Sequence, residues 1–269
     1  MRIGSSAVNI RGALGTRTPI DILNGRLPVS AISRRQLLAS SLAAKLIIAA
    51  DPPSPRLKIV VTGGHPGDPE CGCAGTIARY TALGHDVVLL YLNRGEGFCK
   101  GSDPTQCGVV RTAEAQKACR ILNARAVFAG QIDGRAIVDN AHYQEFERLL
   151  DAEKPDILFT QWPIDQHRDH RALSQLVLDA WLTNGRKSAF YYYEVADDTM
   201  MFSPGDYVDI SAPEIEALRR AACYAHTSQE PEKWYPHQVE LTRFRGLESG
   251  HPQSEGFLRH WQSTHGLLP

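Results

Sequence analysis

The sequence predicts an α/β protein: a mainly parallel sheet with helices on both faces. Two observations carry this. Short β-rich apolar runs alternate with helical patterns of 10 to 12 residues, the rhythm of parallel strands joined by crossover helices. The chain has 269 residues, 43% hydrophobic and 22% charged, which supplies enough interior for one large domain and excludes a fibrous, collagen-like or wholly disordered chain.

The elements follow in order. Folding is expected to begin at Leu57, with an apolar run over 57–61, a helical pattern over 73–83, a strand over 87–92 and a helix over 111–122. A short strand over 126–128, a helix over 143–152, a strand over 157–160 and a helix over 171–182 continue the alternation. The strand over 189–195 holds Tyr191, Tyr192 and Tyr193, whose rings must alternate between faces. The tail departs from this rhythm, with an edge strand over 207–210 and helices over 213–224 and 231–245.

The amino-terminal segment has a different character. Residues 1–50 carry seven basic side chains against one acid, Asp21, and no aromatic residue, histidine or cysteine. Ser33-Arg34-Arg35-Gln36-Leu37-Leu38 leads into an apolar run ending at Ala50, which reads as an export signal of the twin-arginine type. Lys45 interrupts that run, which falls short of the roughly 20 residues a bilayer span needs, so no stable membrane span is expected. Residues 51–56 form a proline-rich linker, and residues 57–269 the domain. Cleavage near Ala50 would leave 22 basic and 29 acidic residues, a net of −7, on a periplasmic or extracellular protein. The whole-chain net charge of −1 offers no positive field for a nucleic acid. Of the six cysteines, Cys71 and Cys73 read as small packed residues, while Cys99 and Cys107 flank a polar loop where a disulfide is open.

In an open parallel sheet, ligands gather beyond the carboxyl ends of the strands. After the first strand comes Gly63-Gly64-His65-Pro66-Gly67-Asp68-Pro69-Glu70, which lacks the G-x-G-x-x-G order of a dinucleotide site. Three potential ligands within six residues point to a cation instead. After the fourth strand comes a second cluster, Asp165-Gln166-His167-Arg168-Asp169-His170. If both strands are central, the clusters meet, and His65, Asp68 and His170 are the expected ligands of a zinc ion (Zn2+), which commonly takes three N/O ligands and keeps one position for water.

The two clusters resemble the H-P-D-D-E and H-P-D-H signatures of the zinc-dependent de-N-acetylases that act on N-acetylglucosaminyl groups, the LmbE-like or PIG-L superfamily. The likeness covers most of residues 57–248, including Arg111 and Glu114 as an R-x-x-E helix and a late His226, Ser228 and Gln229. It implies a Rossmann-like fold, zinc on His65, Asp68 and His170, and hydrolysis of the acetamide of an amino-sugar substrate or glycoconjugate. The general base of the family falls at Gly67, which cannot carry a proton. Asp165, Glu70 and Asp169 are the candidates to replace it, with Asp165 preferred and Asp169 able instead to hold a ligand histidine. Glu70 could equally cap the following helix. His167 matches the family's first histidine of the second motif, a donor to the oxyanion or the leaving amine. Arg111 could bind a sugar hydroxyl or phosphate or pair with Glu114, His226 could complete the pocket or end a helix, and Trp162 is the candidate for stacking on a sugar. Trp234, Tyr235 and Trp261 are candidates for a rim, and Asp103 for the pocket mouth. With Gly67 in place of the base, a catalytically impaired carbohydrate- or metal-binding protein is the alternative.

Overall fold

The first apolar run becomes β1, Lys58–Gly63, and its position organises the sheet. In the computed structural model, which describes residues 55–97, 99 and 103–269, β1 runs parallel to β2 (Asp86–Asn93) on one side and β4 (Ile157–Gln161) on the other. The predicted export signal and residues 51–54 of the linker lie outside the described residues. β3 (Arg125–Gln131) extends the sheet beyond β2, and β5 (Ala189–Tyr193) beyond β4, both parallel. Two further strands complete it by antiparallel pairing, β7 (Ser254–Arg259) against β5 and β6 (Asp206–Asp209) against β7 at the edge, giving the order β3-β2-β1-β4-β5-β7-β6.

The helices are α1 (Asp68–Ala82), α2 (Pro104–Ile121), α3 (Asn140–Glu153), α4 (Arg168–Thr183), α5 (Pro213–Cys223) and α6 (Pro231–Ser249). Because strand side chains alternate, β1 feeds two cores at once. Ile59 and Val61 pack with Ile77 of α1, Ala118 of α2 and Ile215 of α5, whereas Val60 packs with Phe146 of α3 and Leu173, Leu176 and Val177 of α4. Burial on both faces is why the central strands read as unbroken apolar runs. The tyrosine triplet divides as expected: Tyr191 and Tyr193 enter the first core, Tyr192 the second.

Three differences from the expected elements have physical causes. β7 was not expected, because Ser-Glu-Gly-Phe-Leu-Arg has no apolar run; its buried Glu255 accepts the backbone N–H groups of Gly75 and Thr76, replacing hydrophobic contact with hydrogen bonds. α1 starts at Asp68 instead of residue 73, with a proline in its first turn and two glycines that read as loop. α2 starts at Pro104 instead of residue 111, capped by Asp103, whose carboxylate accepts the Gln106 N–H at 3.1 Å, so Asp103 is a helix cap. The Cys99–Cys107 disulfide forms and ties the first turn of α2 to the preceding loop. Among the described residues, no helix is long and apolar enough to cross a membrane.

Candidate active site

The chain leaves β1 towards β2 and β3, then returns to β4 on the other side of β1, so the strand order reverses between β1 and β4. A crevice opens at the carboxyl ends of such a pair. Gln161 Oε1 accepts the Gly64 N–H at 2.8 Å and joins the two strand ends. A Cβ on residue 64 would lie 2.7 Å from Cδ2 of His170, so glycine is what lets the second motif approach the first.

Asp68 opens α1 and turns back over the preceding loop, its Oδ2 accepting the backbone N–H of His65 at 2.7 Å. Three potential ligand atoms converge there. His65 Nδ1 lies 3.3 Å from Asp68 Oδ2 and 3.2 Å from His170 Nε2, and His170 Nε2 lies 3.1 Å from Asp68 Oδ2. Donors about 2.0–2.1 Å from one tetrahedral ion stand about 3.4 Å apart, so this triangle fits a zinc-sized ion.

The far side of each ring fixes its tautomer. His170 Nδ1 donates to Asp165 Oδ1 at 3.0 Å, leaving the lone pair on Nε2. His65 Nε2 donates towards Asp169 Oδ2 at 3.3 Å and Asp133 Oδ1 at 3.1 Å, leaving the lone pair on Nδ1. Burial alone would raise the Asp133 pKa, but the hydrogen bond and charge of His65, the Gly97 N–H and the Arg111 charge bring it down to about 2. Asp68, Asp133, Asp165 and Asp169, the last two fully buried, outnumber the rings they surround, and such an excess of carboxylate suits a divalent cation. The nitrogens of His65, His167 and His170 also lie close enough together to share one ion.

His167, at the amino end of α4, accepts the Asp169 N–H through Nδ1, so a neutral ring carries its proton on Nε2. Burial lowers its pKa. Its ring centroid stands 4.5 Å from that of His65 and 4.7 Å from that of His170. A cavity of about 160 Å³ is lined by His65, Asp68, Arg111, Asp133, His167, His170, Asp198 and Gln229. Arg111 donates to the carbonyls of Gly95 and Pro66, so its charge is fixed in the wall.

Four expected roles meet different surroundings. Asp165, preferred as the base, is 1% exposed and already engaged by His170, the His167 N–H and the Thr199 hydroxyl. Glu70 is wholly buried, capping Gly67 N–H through Oε2 and receiving Tyr91 and His226 through Oε1, which is the capping alternative. His226 is also wholly buried, so it supports Glu70 and does not reach a substrate. Trp162 packs edge-on against Tyr192 and Phe202 and does not line the cavity. Asp169 is also fully buried, its Oδ2 receiving His65, Asn93 and the Gly134 N–H, so it holds the His65 ring from behind. Of the expected rim, Trp234 borders an adjoining cavity, Tyr235 is buried and Trp261 is exposed away from both. Asp133 and Asp198 were missed. Both follow strands, β3 and β5, so the search for post-strand residues would have found them had it extended beyond the two histidine clusters.

Residues 60–181 match the family described as PIG-L, GlcNAc-PI de-N-acetylase. Those residues form a PIG-L family domain. Diacetylchitobiose deacetylase of Thermococcus kodakarensis is 27% identical over 227 residues, covering 74% of this chain and 81% of that protein. A conserved protein of Thermus thermophilus superposes on this chain with a TM-score of 0.67 at 28% identity, covering 78% of this chain and 97% of that one. N,N'-diacetylchitobiose deacetylase of Pyrococcus horikoshii, solved with an inhibitor, shares the fold with a TM-score of 0.68 at 20% identity, over 86% of this chain and 94% of that one.

Proposed function

We propose that this chain is a zinc-dependent N-deacetylase that removes the acetyl group of an N-acetylglucosamine-type amino sugar or a glycoconjugate carrying one. The observation that carries the reading is the convergence of His65 Nδ1, Asp68 Oδ2 and His170 Nε2 within 3.1–3.3 Å of one another, with both ring lone pairs turned inward. The sequence relative that deacetylates diacetylchitobiose supports the substrate class. A zinc ion held there would supply a Lewis acid for the amide carbonyl and an acidified water.

The chain's own groups supply the rest. Asp165 and Asp169 hold the two ligand rings in orientation. His167 offers its Nε2–H to the oxyanion that develops as the carbonyl carbon becomes tetrahedral, and it does so from a helix terminus that locks the ring. Arg111 sets a fixed positive charge in the wall, suited to a sugar hydroxyl or phosphate.

Export is part of the reading. Arg34-Arg35 and the apolar run after it form the address, and the Cys99–Cys107 disulfide suits an oxidising compartment. Replacing both arginines with lysine should hold the protein in the cytoplasm; secretion of that variant at the normal level would contradict the address.

The deciding test is acetate release from N,N'-diacetylchitobiose by the zinc-loaded chain, with Asp68→Ala as the control. Release that vanishes in the control is expected. Tight binding of zinc and sugar without release would favour the second reading, a binding protein that has lost catalysis, which Gly67 motivates.

A further inference from the structure

Amide hydrolysis needs a group that takes a proton from the attacking water and hands it to the leaving nitrogen. Position 67, where the resemblance puts that carboxylate, cannot readily hold one here. Gly67 has φ 107°, a conformation that strains any L side chain, and a Cβ would stand 3.2 Å from the Gln229 carboxamide, itself held by the Pro66 carbonyl at 2.9 Å.

Three carboxylates border the cavity: Asp68, Asp133 and Asp198. Asp68 belongs to the ligand triangle, and Asp133 is engaged by His65 and the Gly97 N–H. Asp165, Asp169 and Glu70 are buried behind the wall and do not border the cavity, each already holding a neighbouring residue by hydrogen bonds. We propose that Asp198 is the catalytic residue that carries this proton, standing in for the carboxylate absent at position 67; the inference rests on the deacetylase reading.

Placement supports it. Asp198 also borders an adjoining cavity of about 160 Å³ together with Gly67, Asp68, Val195, Gln229 and Trp234, so it lies between the ligand triangle and the turn at Gly67. Its backbone is pinned: its N–H donates to the Val195 carbonyl at 3.2 Å, and its carbonyl accepts the Gln166 N–H at 2.8 Å. The next residue, Thr199, donates to Asp165, which ties this turn to the loop bearing His167 and His170. Burial raises the Asp198 pKa, aided by the charges of Asp68, Asp165 and Asp197 and opposed by His170, the direction that makes a carboxylate a better base.

The step balances. As the water oxygen adds to the carbonyl carbon, its O–H bond breaks and the proton moves to Asp198. When the tetrahedral intermediate collapses, the C–N bond breaks and Asp198 returns the proton to nitrogen, giving the amine and acetic acid, which ionises.

The test compares the zinc-loaded full chain with Asp198→Asn and Asp198→Ala, measuring bound zinc, KM and kcat on N,N'-diacetylchitobiose. The expected result is one zinc per chain and an unchanged KM in both variants, with kcat lower by about 10²–10⁴-fold, and recovery of the alanine variant on adding formate. Asp198→Asn turning over within tenfold of wild type would overturn the proposal. So would loss of zinc from both variants, which would make Asp198 a support of the metal site. A wild-type chain that releases no acetate overturns the deacetylase reading and this inference together, whereas wild-type release matched by the variants overturns the inference alone.

Discussion

His170 can serve as a ligand because Asp165, on its far side, takes the Nδ1 proton and turns Nε2 inward. Removing that buried acceptor should loosen the metal without touching it. Asp165→Ala is expected to weaken zinc binding by roughly 10–100-fold in a chelator competition. His167 works differently, as a donor. His167→Ala should keep its zinc and lose about 10²–10³-fold in kcat, read from acetate release against bound metal. The residue types and their spacing single out His65, Asp68, His167 and His170 in two short motifs, and the fold brings those side chains together. The direction in which Asp165, Glu70, His226 and Trp162 point could not, because packing decides it. A carboxylate facing a cavity and one holding an imidazole from behind look alike in a sequence.

The start of α1 shows the same division between what is local and what is not. Gly67 closes a turn that aims Asp68 at His65, and Glu70 caps it from three residues on, a local pattern visible in the chain. Gly67→Ala is expected to destabilise the fold by about 1–2 kcal/mol, the cost of a Cβ in the left-handed region, measured by urea unfolding. The alternation of β1 through β5 with their helices was readable because burial on both faces enforces apolar runs. β7 was not, because Glu255 makes its contacts by hydrogen bonds to α1. β3 was read three residues short at its carboxyl end, which hid how closely Asp133 follows it.

For the whole molecule, the sheet order brings five strand ends to one edge, so that Asn93, Asp133 and Asp198 from neighbouring strands join the two motifs read in the sequence. Net charge and composition carried none of this, because topology creates it. The disulfide acts at the same scale by restricting the unfolded chain. Replacing Cys99 and Cys107 together with serine should cost roughly 2.5 kcal/mol for a loop of this length, seen as a lower Tm. Reductant should lower the Tm of the wild type and leave the double variant unchanged. The central claim is that two imidazoles and one carboxylate hold a single zinc at the β1–β4 crevice. X-ray absorption at the zinc edge of the loaded chain tests it most directly. The expected spectrum shows one zinc per chain with two imidazoles and oxygen donors at about 2.0–2.2 Å, lost in Asp68→Ala. A sulfur-containing shell, or an unchanged zinc shell in Asp68→Ala, would contradict the account.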